Sequence, residues 1–205
     1  MTTLEPKTAF ELRRPGHLRR ALCAILLLVA ILTPLPMEAA EGIIYDDALL
    51  WSWDNWSWPD SSSFPNFSVT SPVHSGSRSI GVHYTEGWQG VQLYYPGFST
   101  GPFSTLRFYV HGGSSGGQRY RVQLRPEGDS PSGPYVDAPI PVANQWTRVD
   151  IPLAALGAEN MNITRVVWQN ATAGSQPIFY MDDIAFVWDA DPNGPNLSEG
   201  DVMPR

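Results

Sequence analysis

The sequence predicts an all-β protein, an antiparallel two-sheet β-sandwich of jelly-roll type. Three observations carry this expectation. Beyond residue 41, no segment sustains the 3.6-residue apolar period of an amphipathic helix. Short runs rich in β-branched and aromatic residues recur instead, many of them alternating apolar with polar. Gly, Pro, Ser and Asn separate these runs at roughly regular spacing, as in a sandwich rather than a chain of strand–helix units.

Strands are expected over 42–49, 67–69, 79–84, 91–95, 105–111, 120–124, 135–140, 146–152, 163–169 and 178–187, with one helical turn at 153–156. Successive side chains of a strand point to opposite faces, so alternation assigns sides. Over 105–111, Leu106, Phe108 and Val110 share one face, and Arg107, Tyr109 and His111 the other. Tyr120, Val122 and Leu124 oppose Arg121, Gln123 and Arg125, while Val91, Leu93 and Tyr95 oppose Gln92 and Tyr94. Each of these strands pairs an aliphatic core face with an outer face of Tyr, Arg and Gln. Trp146 opens an alternating strand and is expected in the core.

Residues 1–40 read as an export signal. Arg13, Arg14, Arg19 and Arg20 flank an apolar run over 21–32, which Thr33, Pro34 and Pro36 break before Ala39 and Ala40. The run is too short to span a bilayer, so cleavage near residue 40 is expected, an uncleaved anchor being the alternative. The product is then secreted, extracellular or periplasmic. Residues 41–188 form one domain, monomeric by expectation, and the polar stretch 189–205 a disordered tail. Removing the signal takes Lys+Arg from 13 to 8 and Asp+Glu from 20 to 17, and the net charge from -7 to -9. A domain this acidic repels phosphate, so neither nucleic acid nor, after signal cleavage, a membrane is an expected partner. Cys23 lies inside the signal, leaving no thiol for a disulfide, a nucleophile or a metal site.

Catalytic constellations are weak. Gly112, Ser114 and Gly116 match the spacing of a serine-hydrolase nucleophile elbow, but that motif needs a strand turning into a helix, and here it sits in a Gly/Ser-rich loop between strands. His74, His83 and His111 are scattered, and the carboxylates Glu86, Glu127 and Asp137 show no pairing. The chain is therefore not expected to be an enzyme.

Two features are more informative. In the last strand, alternation puts Ile178, Tyr180, Asp182, Ile184 and Phe186 on one side, which embeds Asp182 among apolar neighbours if that side is the core. A buried carboxylate is costly without a partner; an arginine, an oxygen-coordinated cation such as calcium, or a solvated strand end all answer it. Asp46 and Asp47 in the first strand are natural co-ligands. The second feature is tryptophan. Trp51, Trp53, Trp56 and Trp58 crowd together, and Trp88 lies between Gly87 and Gly90 in a polar, flexible setting where its ring is accessible. An exposed indole suits stacking on a sugar ring, with Gln92, Tyr94, Tyr109, Arg121 and Gln123 supplying aromatic surface and hydrogen bonds.

Tyr45-Asp46-Asp47, Ser75-Gly76-Ser77-Arg78-Ser79-Ile80, Trp88-Gln89-Gly90, Trp146-Thr147-Arg148-Val149-Asp150-Ile151-Pro152-Leu153 and Phe179-Tyr180-Met181-Asp182-Asp183-Ile184 occur in the order seen in jelly-roll carbohydrate-binding modules. Residues 42–187 thus resemble the galactose-binding-like superfamily, which includes xylan- and β-glucan-binding modules attached to plant-cell-wall hydrolases. The resemblance implies a β-sandwich with a structural calcium held by Asp46, by main-chain oxygens near Ser77 and Arg78, and by Asp182. It also implies that Trp88 lines a sugar cleft. Asp46 departs from the more usual Glu, and the Trp51 to Trp58 cluster has no counterpart. With no catalytic domain attached, targeting of a fused enzyme is not expected.

The expectation is a secreted, non-catalytic carbohydrate-binding protein. It would take a neutral plant or microbial polysaccharide by aromatic stacking and Arg/Gln hydrogen bonds, with affinity on the order of micromolar to millimolar. Its alternatives are a small jelly-roll polysaccharide-degrading enzyme and a surface protein-interaction domain built on the tryptophan cluster.

Overall fold

A computed structural model describes residues 42–58, 64–128 and 133–188. The expected signal and tail lie outside the described residues. Within them, strands form as β1 (Gly42–Asp46), β2 (Ala48–Leu49), β3 (Asp54–Asn55), β4 (Asn66–Val69), β5 (Ser79–Val82), β6 (Gly90–Ser99), β7 (Thr105–His111), β8 (Tyr120–Pro126), β9 (Val136–Asp137), β10 (Trp146–Pro152), β11 (Asn162–Asn170) and β12 (Phe179–Val187).

They build two antiparallel sheets. One has seven strands in the order β10-β7-β12-β1-β2, with β5 also pairing with β12 and β4 with β5; the other has five, in the order β3-β6-β11-β8-β9. From β5 to β8, and again from β10 to β12, consecutive strands fall in opposite sheets. This is the two-sheet jelly roll that the strand spacing predicts.

The alternation holds where it decides the core. Leu106, Phe108 and Val110 from β7 are fully buried, as are Val91 and Leu93 from β6 and Val122 from β8, with Tyr120 and Leu124 nearly so. Phe108 meets Trp168 of β11 edge-on, with ring centroids 5.7 Å apart, which ties the two sheets together at the centre. Area removed from water, at about 25 cal/mol per Å² of apolar surface, is what holds such a sandwich closed.

Several expectations need correction. The run 42–49 divides into β1 and β2 at Asp47, whose φ of 56° turns the chain. The run 135–140 forms strand only at Val136–Asp137; Ala138 N–H adds one bond to the Tyr120 carbonyl at 3.1 Å, and Pro139 has no ladder donor to continue. The turn expected at 153–156 does form, as successive i to i+3 hydrogen bonds that include Leu156 N–H to the Leu153 carbonyl at 3.1 Å. Trp146 is not core: Val149 and Ile151 of β10 are buried, so Trp146, an odd number of residues from both, points to the other face.

Strand β12 carries the largest correction. Phe179 and Met181 belong to the core, and so do Ile184 and Phe186. A bulge between Asp182 and Ala185, with Asp183 at φ 46°, inserts one residue and shifts the alternation by one step. Asp182 therefore lies on the outer face, paired in register with Tyr109, and not among the core side chains. It is nonetheless fully buried, because the 72–78 loop covers it: His74 N–H donates to its Oδ2 at 2.8 Å.

The Gly/Ser-rich loop is structural. It carries the chain from β7 in one sheet to β8 in the other, so no nucleophile elbow forms there. Gly113, at φ 61°, sits so close to the Ile178 carbonyl that a Cβ would collide with it.

Candidate functional site

The outer face of the five-stranded sheet assembles most of the expected site. Registers of β6, β11 and β8 align three rows across the strands. Tyr94, Arg165 and Arg125 make one; Gln92, Val167 and Gln123 the next; Gly90, Gln169 and Arg121 the third. The outer rows lie four residues apart along each strand, roughly 13 Å. The inward partners of the same strands, Leu93–Val166–Leu124 and Val91–Trp168–Val122, fill the core, so this face is rigidly backed.

The tryptophan-rich segment extends the rows at the β6 edge. Asp54 pairs with Tyr94, and Trp58 bridges Gly90. Between them Trp56 donates its main-chain N–H to the Gln92 carbonyl at 2.9 Å. Trp56 stacks on Tyr94 with centroids 3.8 Å apart and planes within 7°, and the Arg165 guanidinium stands 5.7 Å over its ring. Trp58 occupies the space that a side chain at position 90 would need, which explains the glycine there. The cluster is thus divided among several tasks. Trp53 is core, packed on Tyr95 and Phe98; Trp56 and Trp58 flank the sheet face; Trp51 is exposed.

Trp88 is half exposed, at 50% of its surface. Its setting is pinned rather than flexible. Its carbonyl accepts the Trp58 indole N–H at 2.9 Å and the Gln169 amide at 3.0 Å, its N–H reaches the Thr172 carbonyl at 3.3 Å, and Gln89 is buried against Thr85. Trp88 also takes φ 64°, a left-handed conformation costly for a bulky side chain. Arg121 lies between rings: its guanidinium is 3.8 Å from the Tyr135 centroid and 5.4 Å from that of Trp88. Gln169 Oε1 accepts from Arg121 Nε at 3.1 Å and Nη2 at 2.7 Å, which fixes its plane.

Of the six residues expected from the sequence, five gather here: Trp88, Gln92, Tyr94, Arg121 and Gln123. Tyr109 does not. It belongs to β7 in the opposite sheet, where it stacks on His74 at 3.6 Å. Gln92 and Gln123 are almost fully buried. The Gln92 amide donates to the Trp56 carbonyl at 3.3 Å; Gln123 donates to the Gly133 carbonyl at 2.7 Å and accepts from Arg125 Nε at 3.1 Å. They position neighbours more than they reach outward. Trp56, Trp58, Tyr135, Arg165 and Gln169 were not among the expected residues. For Trp56 and Trp58 a signal existed, since a two-residue spacing puts both on one face of an extended segment.

The expected metal residues lie on the other sheet. β1 and β12 are neighbours, as expected of first and last strands. Asp182 and Asp46 both have their pKa values raised from the ordinary carboxylate value, Asp182 first by its burial and the exposed Asp46 first by partial desolvation. For Asp46 the nearby Asp183 and Asp47 add to this. The main-chain N–H groups of Ser77 and Arg78 turn toward Asp47, at 2.6 and 2.7 Å, and hold its pKa below the usual range. Asp183 binds His74 Nδ1 and the Ser75 hydroxyl. Among the described residues no three His, Cys, Asp or Glu side chains converge for a metal ion. A hard cation at Asp46 and Asp182 would need main-chain carbonyl oxygens to complete its shell.

No protein-family model and no curated protein matches the chain. Solved structures do. A family 11 carbohydrate-binding module from a cellulosomal cellulase of Clostridium thermocellum aligns with a TM-score of 0.54 at 14% identity, over 74% of this chain and 96% of that one. That family 11 module has also been solved in complex with a β-1,3-1,4-mixed-linked tetrasaccharide, at a TM-score of 0.50, 14% identity and coverage of 74% and 97%. A family 30 carbohydrate-binding module aligns at 0.54 and 17% identity, over 73% and 99%. The described domain is therefore similar in architecture to carbohydrate-binding modules, and its fold is the antiparallel jelly-roll sandwich that they adopt.

Proposed function

We propose that the protein is a secreted, non-catalytic polysaccharide-binding domain whose ligand lies across the outer face of the five-stranded sheet. The observation that carries this is the juxtaposition of two exposed indoles, Trp88 and Trp56, with Arg121, Arg125, Arg165 and Gln169 on one rigid surface. Sugar rings offer C–H faces to indoles and hydroxyls to guanidinium and amide groups. Trp, Arg and Gln do not exchange protons near neutral pH, so the centre of this face suits binding better than acid–base chemistry. The sugar complex of the architecturally similar family 11 module supports the same reading.

Calorimetry of the protein against β-glucans, xylans, mannans and polyuronates tests it. Saturable binding to at least one, on the order of micromolar to millimolar, is expected; absence of binding to all of them defeats it.

A structural calcium ion belongs to this proposal. Asp46 and Asp182 would hold it with the main-chain oxygens of Ser77 and Arg78, and the ion would supply positive charge to carboxylates that burial and neighbouring acids disfavour. An ion that binds only the folded state stabilises by mass action, so chelator should lower the melting temperature and added calcium restore it. Identical melting curves with and without chelator would count against the ion.

A further inference from the structure

The charge on the proposed face is opposite to that of the molecule. Outside the expected signal the chain carries -9, yet Arg121, Arg125 and Arg165 share this one surface. Arg165 and Arg125 stand directly opposite each other in register on β11 and β8, an arrangement that like charges make unfavourable. On the other sheet the arginines are neutralised: Asp150 receives both Arg107 Nε at 2.6 Å and Arg148 Nε at 3.0 Å. Among the described residues, none of the three arginines on the five-stranded sheet forms an ion pair. Two acids stand at the sheet's edges, Asp54 opposite Tyr94 and Asp137 opposite Arg121 in register, and Asp137 forms no ion pair with Arg121 among the described residues.

The guanidiniums are also held ready. Each has five N–H donors. Gln169 accepts from two of the nitrogens of Arg121, and Gln123 from one of Arg125. Arg165 Nε is shielded from solvent without a hydrogen-bond partner among the described residues. Neutral amides thus orient Arg121 and Arg125 without cancelling their charge, and Arg165 is placed over the Trp56 ring. A planar fork is the geometry that pairs two N–H groups with one carboxylate.

Resting on the polysaccharide reading above, we propose that the ligand is an acidic glycan. Its uronate carboxylates would sit among Arg121, Arg125 and Arg165 while its sugar rings lie on Trp88 and Trp56. This departs from the neutral polymer that the overall acidic charge suggests. The acidic remainder of the surface would repel the same polymer, so binding would be confined to this face.

The test uses the full chain with three polyuronates (polygalacturonate, alginate and glucuronoxylan), each beside the same polymer with its carboxylates reduced to primary alcohols. At least one acidic polymer should bind on the order of tenfold or more tighter than its reduced form, a difference that salt diminishes. Arg165→Gln should remove most of that difference, weakening the acidic polymer's binding far more than the reduced polymer's. Arg148→Gln, on the opposite sheet, should alter neither. Equal affinity for acidic and reduced polymers overturns the inference while the polysaccharide reading stands. Equally tight binding of single-stranded DNA also overturns it, since the face would then recognise charge alone. Failure of every glycan, neutral ones included, removes both readings. Thermal melting of each variant confirms that it is folded.

Discussion

Trp88→Gly is expected to lose at least about 2 kcal/mol of polysaccharide binding, roughly thirtyfold in affinity, and to keep the melting temperature of the parent. The two halves of this result have separate causes. The ring is half exposed, stands over the Arg121 guanidinium, and projects from a loop anchored by Trp58 and Gln169, so it presents a pre-ordered surface to a sugar. Its backbone pays for that position with a left-handed φ of 64°, worth about 1–2 kcal/mol for a residue with a Cβ. Glycine relieves the strain, while its greater freedom in the unfolded chain offsets part of the gain. Calorimetry and thermal denaturation on the same sample check both halves. Undiminished binding would remove Trp88 from the site, and a large fall in melting temperature would mean that the indole serves the fold instead.

Trp168→Ala is expected to destabilise the domain by about 3–5 kcal/mol. Trp168 is fully buried on the inner side of β11 and meets Phe108 of the opposite sheet, so its removal opens a void between the layers. Its indole Nε1 has no hydrogen-bond partner among the described residues. The cost is therefore one of packing, and Trp168→Phe, which also deletes an unmatched donor, should cost much less. Urea denaturation of both variants distinguishes these contributions. If Phe proves as damaging as Ala, the indole nitrogen has a role that packing does not describe.

Inside and outside were legible in the sequence wherever a strand has one buried face and one solvated face, as in β7 and β8. Alternation reports the face of a sheet and not which sheet, so Tyr109 and Tyr94 looked equivalent although jelly-roll connectivity sends β6 and β7 to opposite layers. Strand β11 hid its contribution for a different reason. Val166, Val167 and Trp168 are all buried, because β11 is central and its outward Val167 lies between Gln92 and Gln123, so no alternation announced Arg165 and Gln169 as outer-face residues. The phase of β12 was lost at one residue. Asp183 adopts a left-handed φ that Asp tolerates better than most side chains, and the resulting bulge moved Asp182 to the face that the 72–78 loop covers.

The position of β12 also bears on how the chain reaches its native state. The last strand is an interior member of its sheet, bonded to β7 along one side and to β5 and β1 along the other. Gly42 must find Phe186, so the ends of the domain meet only after almost all of it exists. Such distant pairings pay loop-closure entropy before any contact rewards it, and they place this topology among the slow folders. During synthesis, the seven-stranded layer has an open seam until residues 179–187 arrive to close it.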